Sequence, residues 1–261
     1  MNLLSSLLKR VTTPRDSRSE LRRLYLDLMQ RILINTIYED PQTITREYKP
    51  KTRELGLDWP SVAHSMIGRH RMNNLRTLCE DVITRRIPGD YIETGVWRGG
   101  ACILMRAVLK AHGVTDRCIW VADSFQGLPP PSADKYPADA TDTLYRNPQL
   151  AISLEEVKAN FDKYDLLDNQ VRFLQGWFKD TLPCAPIEQL AILRLDGDMY
   201  ESTMDGLKAL YHKLSPGGYV IVDDYHLDNC RAAITDFRAT HNIADTIIEI
   251  DGSGVYWKKS P

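Results

Sequence analysis

Between residues 90 and 240, five apolar runs of strand length alternate with four stretches of helical spacing, and few architectures accommodate that order. The strands are expected near 91–96, 118–125, 170–176, 190–196 and 218–224, and the helices near 101–112, 153–163, 202–213 and 229–240. Near-continuous apolar strands joined by helices mean a parallel sheet, because parallel neighbours need crossover connections that cover both faces. The tail from Asp245 to Lys258 contains Asp251-Gly-Ser-Gly254 and reads as two strands around a glycine turn, a closing antiparallel hairpin. The expected fold class is therefore α/β, a Rossmann-like sheet of seven strands.

Acids stand where such a sheet binds ligands. Leu190-Ala-Ile-Leu-Arg-Leu-Asp196-Gly-Asp198 and Gly218-Tyr-Val-Ile-Val-Asp223-Asp224 both end an apolar run in paired carboxylates. Carboxyl ends of neighbouring parallel strands open into one crevice. Acids converging there repel one another unless a cation sits between them, and an oxygen-only donor set favours Mg²⁺. Taken singly, Asp196 and Asp223 could equally end a strand or cap the next helix.

A glycine motif lies upstream, Asp90-Tyr-Ile-Glu93-Thr-Gly95-Val-Trp97-Arg-Gly99-Gly100-Ala-Cys102. It reads as strand, tight turn and helix, with glycines that let backbone approach a ligand. Its spacing is not the dinucleotide fingerprint G-x-G-x-x-G, so a pyrophosphate cradle is disfavoured. Glu93 would repel phosphate but suits the ammonium of an amino acid. The next strand ends in Val121-Ala-Asp123-Ser124-Phe125, and an acid at that place can accept hydrogen bonds from both ribose hydroxyls. A nucleoside with a methionine tail, S-adenosylmethionine, meets both requirements. Gly176-Trp177-Phe178 follows the third strand, where Trp177 either stacks on the adenine or simply packs in the core; Trp97 has the same two readings at the methionine pocket.

Net charge is −2 over 261 residues, so no nucleic-acid partner is implied. The five cysteines include no C-x-x-C pair, which argues against zinc and a disulfide framework and fits a reducing cytoplasm. The apolar stretch within Met1–Arg10 is too short for a signal peptide or a spanning helix, and no membrane association is expected. Fraying is expected over 1–18, an amphipathic helix over about 20–37, irregular chain over 38–60 and a helix from Met72 to Arg86. Residues 1–86 are thus read as a helical segment before a core at 87–261, with Ser61–Gly68 serving either as a lid or as a collar or dimer contact. The stretch from Gly127 to about Ser153, with prolines at 129–131, is too long for an ordinary strand-to-helix loop and lies on the ligand side.

Six motifs together resemble the macrocin O-methyltransferase (TylF) family of class I methyltransferases: Val62–Gly68, Glu93–Cys102, Val121–Gly127, Gly176–Asp180, Leu195–Asp198 and Ile221–Tyr225. The resemblance implies S-adenosylmethionine (with S-adenosylhomocysteine as product), a divalent cation on Asp196, Asp223 and Asp224, and Asp198 as general base. The acceptor it implies is a small-molecule glycoside, a deoxysugar hydroxyl of an antibiotic precursor; its most specific form is the 4-hydroxyl of noviose on an aminocoumarin. Cofactor contacts are expected from Met66, Glu93, Thr94, Gly95, Trp97, Gly99, Asp123, Ser124, Gly176, Trp177 and Asp196. His226 is the competing base, His64 a further contact, and Lys179 and Arg194 carry no expected role. A phenol or catechol methyltransferase shares the same cofactor and cation and stays open on the chemistry alone. A nicotinamide oxidoreductase would want G-x-G-x-x-G and a Tyr-x-x-x-Lys pair, and neither is present. A homo-oligomer is compatible with the sequence.

Overall fold

A computed structural model describes residues 17–261; the expectations for 1–16 lie outside them. The sheet is built from β1 (Asp90–Thr94), β2 (Ile119–Asp123), β3 (Val171–Gln175), β4 (Leu190–Leu195), β5 (Leu214–Val222), β6 (Ile248–Glu249) and β7 (Val255–Lys258). Its order is β3-β2-β1-β4-β5-β7-β6; the first five strands are parallel, and β7 runs antiparallel to both β5 and β6. This is the expected seven-stranded sheet with its terminal hairpin.

Successive residues on each central strand feed opposite cores, which is why the runs are apolar throughout rather than alternating. Tyr91, Val121, Ile192 and Ile221 join the core on one face, while Ile92, Trp120, Leu193 and Val220 join the other. The first face is covered by α1 (Ser17–Leu33), by α3 (Gly68–Thr84), which follows the five-residue α2 (Pro50–Glu54), and by α4 (Gly100–His112) and α5 (Leu154–Asp162). The second is covered by α7 (Tyr200–Leu210), preceded by the short α6 (Phe178–Thr181), and by α8 (Asp228–Thr240). Leu26 and Met29 of α1 share one core with Cys102 and Met105 of α4, so the helical N-terminal segment is packed on the sheet.

Three details depart from the sequence expectations. The first helix ends at Leu33 instead of near 37, with Asn35 in the left-handed region. Strand β5 begins at Leu214, four residues early, because Pro216-Gly217-Gly218 is absorbed as an irregularity where pairing with β4 shifts between Leu190 and Ile192; a bulge is the place where a strand tolerates proline. The irregular stretch 38–60 contains α2, and the 127–153 insertion carries three single turns of 3-10 helix.

Candidate active site

Strand order reverses between β1 and β4, and there a crevice opens at the carboxyl ends. It deepens into a cavity of about 820 Å³, near the top of the range for small-molecule sites. The strand exits supply Glu93, Gly95, Asp123, Asp196, Asp198, Asp223 and Asp224 to its wall. Gly95 has φ +88, and a Cβ there would lie 1.8 Å from the Asp196 carbonyl oxygen. The turn after β1 and the turn after β4 therefore touch backbone to backbone, which only glycine permits. Gly100 does the same on the other side: its N–H donates to the His64 carbonyl at 3.0 Å, and a Cβ would meet that oxygen at 2.4 Å. The Ser61–Gly68 segment is thus laid against the start of α4, and His64, Ser65, Met66 and Ile67 line the cavity.

Asp196, Asp223 and Asp224 each place one carboxylate oxygen within 4.8 Å of the others. Their charge is partly met by two arginines. Arg194, 1% exposed one residue before the end of β4, pairs with Glu93, Asp196 and Asp223, the Asp196 contact at 2.6 Å. Arg71 of α3 pairs with Asp223 and, at 3.1 Å, with Asp251 in the turn of the hairpin. The Asp198 amide donates to Asp224 Oδ2 at 3.0 Å. Burial, then mutual repulsion, holds Asp198 and Asp224 well above the usual carboxylate range, and Asp196 is raised by burial and by Asp223. Burial pushes Glu93 up to about 7 although Arg194 opposes it. Such a set gains from a small cation.

On an extended strand Asp196 and Asp198, two residues apart, would face the same side. Strand β4 instead ends at Leu195, and Asp198 sits in a turn at φ 59. Both side chains still line the cavity, through a left-handed turn rather than through strand alternation. Left-handed backbone at a non-glycine residue is sparsely populated and concentrates at functional sites; Trp97 (φ 47) and Phe125 (φ 56) on neighbouring strand exits share it.

Of the expected cofactor contacts, Met66, Glu93, Gly95, Trp97, Asp123, Ser124, Trp177 and Asp196 line the cavity, whereas Thr94, Gly99 and Gly176 do not. Thr94 is buried behind it and donates its hydroxyl to the Arg194 carbonyl at 3.5 Å. A Cβ at Gly99 would strike Val157 of α5, and one at Gly176 would strike Thr181 of α6, so both glycines serve packing. Glu93 is engaged twice, by Arg194 and by the Cys102 thiol, which donates at 2.8 Å. Asp123 accepts the amides of Val96 at 2.8 Å and Phe125 at 2.7 Å, and burial raises its pKa. A carboxylate accepting two amides keeps lone pairs for further donors. Trp177 belongs to neither core cluster, while Phe178 packs against one of them. His226 is exposed on the rim. Arg194 and Arg71 are the residues that sequence reasoning missed. A signal for the first was present: a single cation inside an apolar central strand is tolerated only when paired.

His64 faces the cavity with Nδ1 2.5 Å from the Tyr164 hydroxyl. Burial, then Lys163 and Arg98, lowers its pKa to about 4, so the imidazole is neutral near pH 7. The sign follows from proton counting. Between pH 6.5 and about 4 the unfolded chain binds a proton that the folded chain refuses, so stability is lost as pH falls through that window. His64→Gln is expected to flatten the slope of the denaturation midpoint over that interval; equal slopes in the two proteins would show that His64 is not the group responsible.

Comparison with known proteins places this geometry in context. The family model for Macrocin-O-methyltransferase (TylF) matches residues 41–259. The demethyldecarbamoylnovobiocin O-methyltransferase of Streptomyces niveus is 54% identical over 258 residues, 96% of this chain and 98% of that protein. An enzyme of Streptomyces olivaceus, 8-demethyl-8-(2,3-dimethoxy-alpha-L-rhamnosyl)-tetracenomycin-C 4'-O-methyltransferase, is 55% identical and aligned over 91% of this chain and 93% of its own. The solved structure of the O-methyltransferase NovP superposes with a TM-score of 0.90 at 56% identity, covering 92% of this chain and 100% of that one.

Proposed function

The chain belongs to the Macrocin-O-methyltransferase (TylF) family, and from that premise we propose that it transfers the methyl group of S-adenosylmethionine to a deoxysugar hydroxyl on an antibiotic precursor, with Mg²⁺ held by Asp196, Asp223 and Asp224. The observation that carries this reading is the convergence of those three carboxylates with Asp198 on one cavity wall. An oxygen-only donor set whose members are raised by burial and mutual repulsion fits a hard divalent cation. Bound there, Mg²⁺ supplies Lewis acidity that makes a sugar hydroxyl, otherwise far too weak an acid at neutral pH, able to lose its proton.

The chain's own residues do the rest. Asp198 would accept the hydroxyl proton on its carboxylate, and burial together with the neighbouring acids raises its pKa, which makes it a stronger base than a free carboxylate. Glu93, Asp123 and Trp177 lie along the wall expected to hold the amino acid, ribose and adenine portions of the cofactor. Acids outnumber the two lining cations, Arg71 and Lys179, so the cavity suits a neutral glycoside better than a sugar diphosphate. The Streptomyces olivaceus relative acts, by name, on a rhamnosyl compound, which favours a sugar acceptor over a phenol. The finer assignment is the 4-hydroxyl of noviose, as the sequence resemblance implies, and the 54% identical relative acts by name on demethyldecarbamoylnovobiocin; the 55% identical one makes a rhamnosyl 4'-hydroxyl the competitor. A cytoplasmic location accords with the unpaired cysteines, and no helix among the described residues is long and apolar enough to cross a membrane.

The test is methyl transfer to demethyldecarbamoylnovobiocin and to the rhamnosyl tetracenomycin, each with Mg²⁺ and with EDTA. Gain of one methyl, abolished by EDTA and restored by excess Mg²⁺, is expected. Transfer indifferent to EDTA would remove the metal from the mechanism, and failure on both glycosides with cofactor bound would remove the acceptor class.

A further inference from the structure

The 127–153 insertion contributes to the cavity wall, and one residue fastens its middle. Asp139, in a single turn of 3-10 helix, is fully buried. Its Oδ1 accepts the Tyr200 amide at 2.7 Å and the Asn229 side-chain amide at 3.1 Å, while its Oδ2 accepts the Glu201 amide at 3.0 Å. These backbone donors are the first two of α7, whose own N-cap, Met199, makes no side-chain cap. A helix start leaves its first amides without partners, and a carboxylate there is favoured by both hydrogen bonding and the helix dipole. Here the cap comes from 61 residues away in sequence. Asn229, in the first turn of α8, also reaches Asp142 at 3.4 Å, and the Tyr136 ring lies 5.8 Å from that of Tyr200.

The two helices gripped in this way follow directly on the turns that carry the acids: α7 begins two residues after Asp198, and α8 four residues after Asp224. The insertion also supplies Leu128, Pro129, Pro130, Pro131 and Leu144 to the cavity wall, a largely apolar surface in a cavity that acids such as Glu201 and Asp205 also line. Its C-terminal part is tied separately, where the Trp97 indole N–H donates to the Gln149 carbonyl at 2.9 Å. The two ties are independent.

We infer that Asp139 is a positioning residue for the acceptor: it holds the apolar wall of the insertion at a fixed distance from the carboxylates at the ends of β4 and β5, and so sets the width of the acceptor pocket without touching the cofactor side. The inference rests on the methyltransferase reading above. An apolar wall in a cavity that acids also line suits an amphiphilic acceptor whose sugar faces the acids and whose aglycone lies on the prolines. Freeing the wall costs acceptor binding first.

The experiment compares wild type with Asp139→Ala and Asp139→Asn. Loss of one cap carries a penalty near the tenfold level. For Asp139→Ala the KM of the glycoside should rise about tenfold, with the S-adenosylmethionine dissociation constant unchanged and kcat altered less than KM; Asp139→Asn, which keeps one acceptor oxygen, should fall between. Asn229→Ala, which removes only a side-chain bridge, should move acceptor KM in the same direction and covers the case in which the Asp139 variants do not fold. Amide exchange over 128–146 should quicken in each folded variant while that of the 91–100 motif stays at the wild-type rate. That readout needs no turnover, so it separates failure of this inference from failure of the functional one. Equal effects on both substrates' KM values, or an unchanged acceptor KM with unchanged exchange, would overturn the positioning role.

Discussion

Asp198→Asn is expected to lower turnover by about 10²–10⁴-fold, the usual contribution of a general base, while S-adenosylmethionine still binds with wild-type affinity. The substitution isolates the chemistry. Asparagine tolerates the left-handed backbone that Asp198 adopts at φ 59, and the backbone amide that donates to Asp224 Oδ2 is retained. What disappears is an oxygen able to take a proton. The pH profile gives a second signature. Activity in wild type should rise with pH as the base ionises, because burial and the neighbouring acids favour its protonated form, and the variant should lose that limb. His226→Gln is the control: an exposed rim residue should cost little. Rapid-quench measurement of the methyl-transfer step with saturating Mg²⁺ decides between them, and a slow His226 variant beside a fast Asp198 variant would transfer the role of base to histidine.

Much of this molecule was legible because its signals are local. Strand β4 is an apolar run from Leu190 broken only by Arg194, and α4 opens on Gly99-Gly100 and closes on Gly113 in the left-handed region. Period and punctuation of that kind place elements to within a residue or two. The start of β5 was not legible, since Ser215-Pro216-Gly217-Gly218 reads as a turn until its pairing with β4 makes it an irregular strand. Helices α2 and α6, at five and four residues, are shorter than the period that would disclose them. The acids of the site were readable because they cluster at or just past the ends of strands. Of their counter-cations, Arg194 showed as a lone cation in an apolar strand, whereas Arg71 meets Asp223 across 152 residues of sequence, and only the packing of α3 against the sheet brings them together. Asp139 was hidden for the same reason, as a helix cap donated from a remote loop carries none of the spacing by which caps are recognised.

The cation that pairs with the most of these acids should also be the most sensitive. Arg194→Met is expected to destabilise the fold by about 3–5 kcal/mol, the cost of removing one partner from a buried ion pair. Methionine matches the length of the arginine stem, so the substitution leaves little cavity and reports mainly on charge. Without the guanidinium, Glu93, Asp196 and Asp223 would share an interior with Arg71 as their only cation among the contacts described. Glu93 already stands near 7 and would be driven further up, so part of the cost would be relieved by proton uptake. The loss should therefore be larger at pH 8 than at pH 6, since protonation becomes more expensive as pH rises. Arg194→Lys should fall between, because an ammonium keeps the charge but cannot span three carboxylates as a planar fork does. Mg²⁺ gives the decisive comparison. If the cation binds the carboxylates that Arg194 holds together, adding it should raise the melting temperature of Arg194→Met by more than it raises that of wild type, since it binds the folded form and substitutes for the missing charge. Calorimetric melting of the two proteins with Mg²⁺ and with EDTA measures this directly. Equal increments would mean that Arg194 supports the sheet alone, with no part in shaping the acidic site.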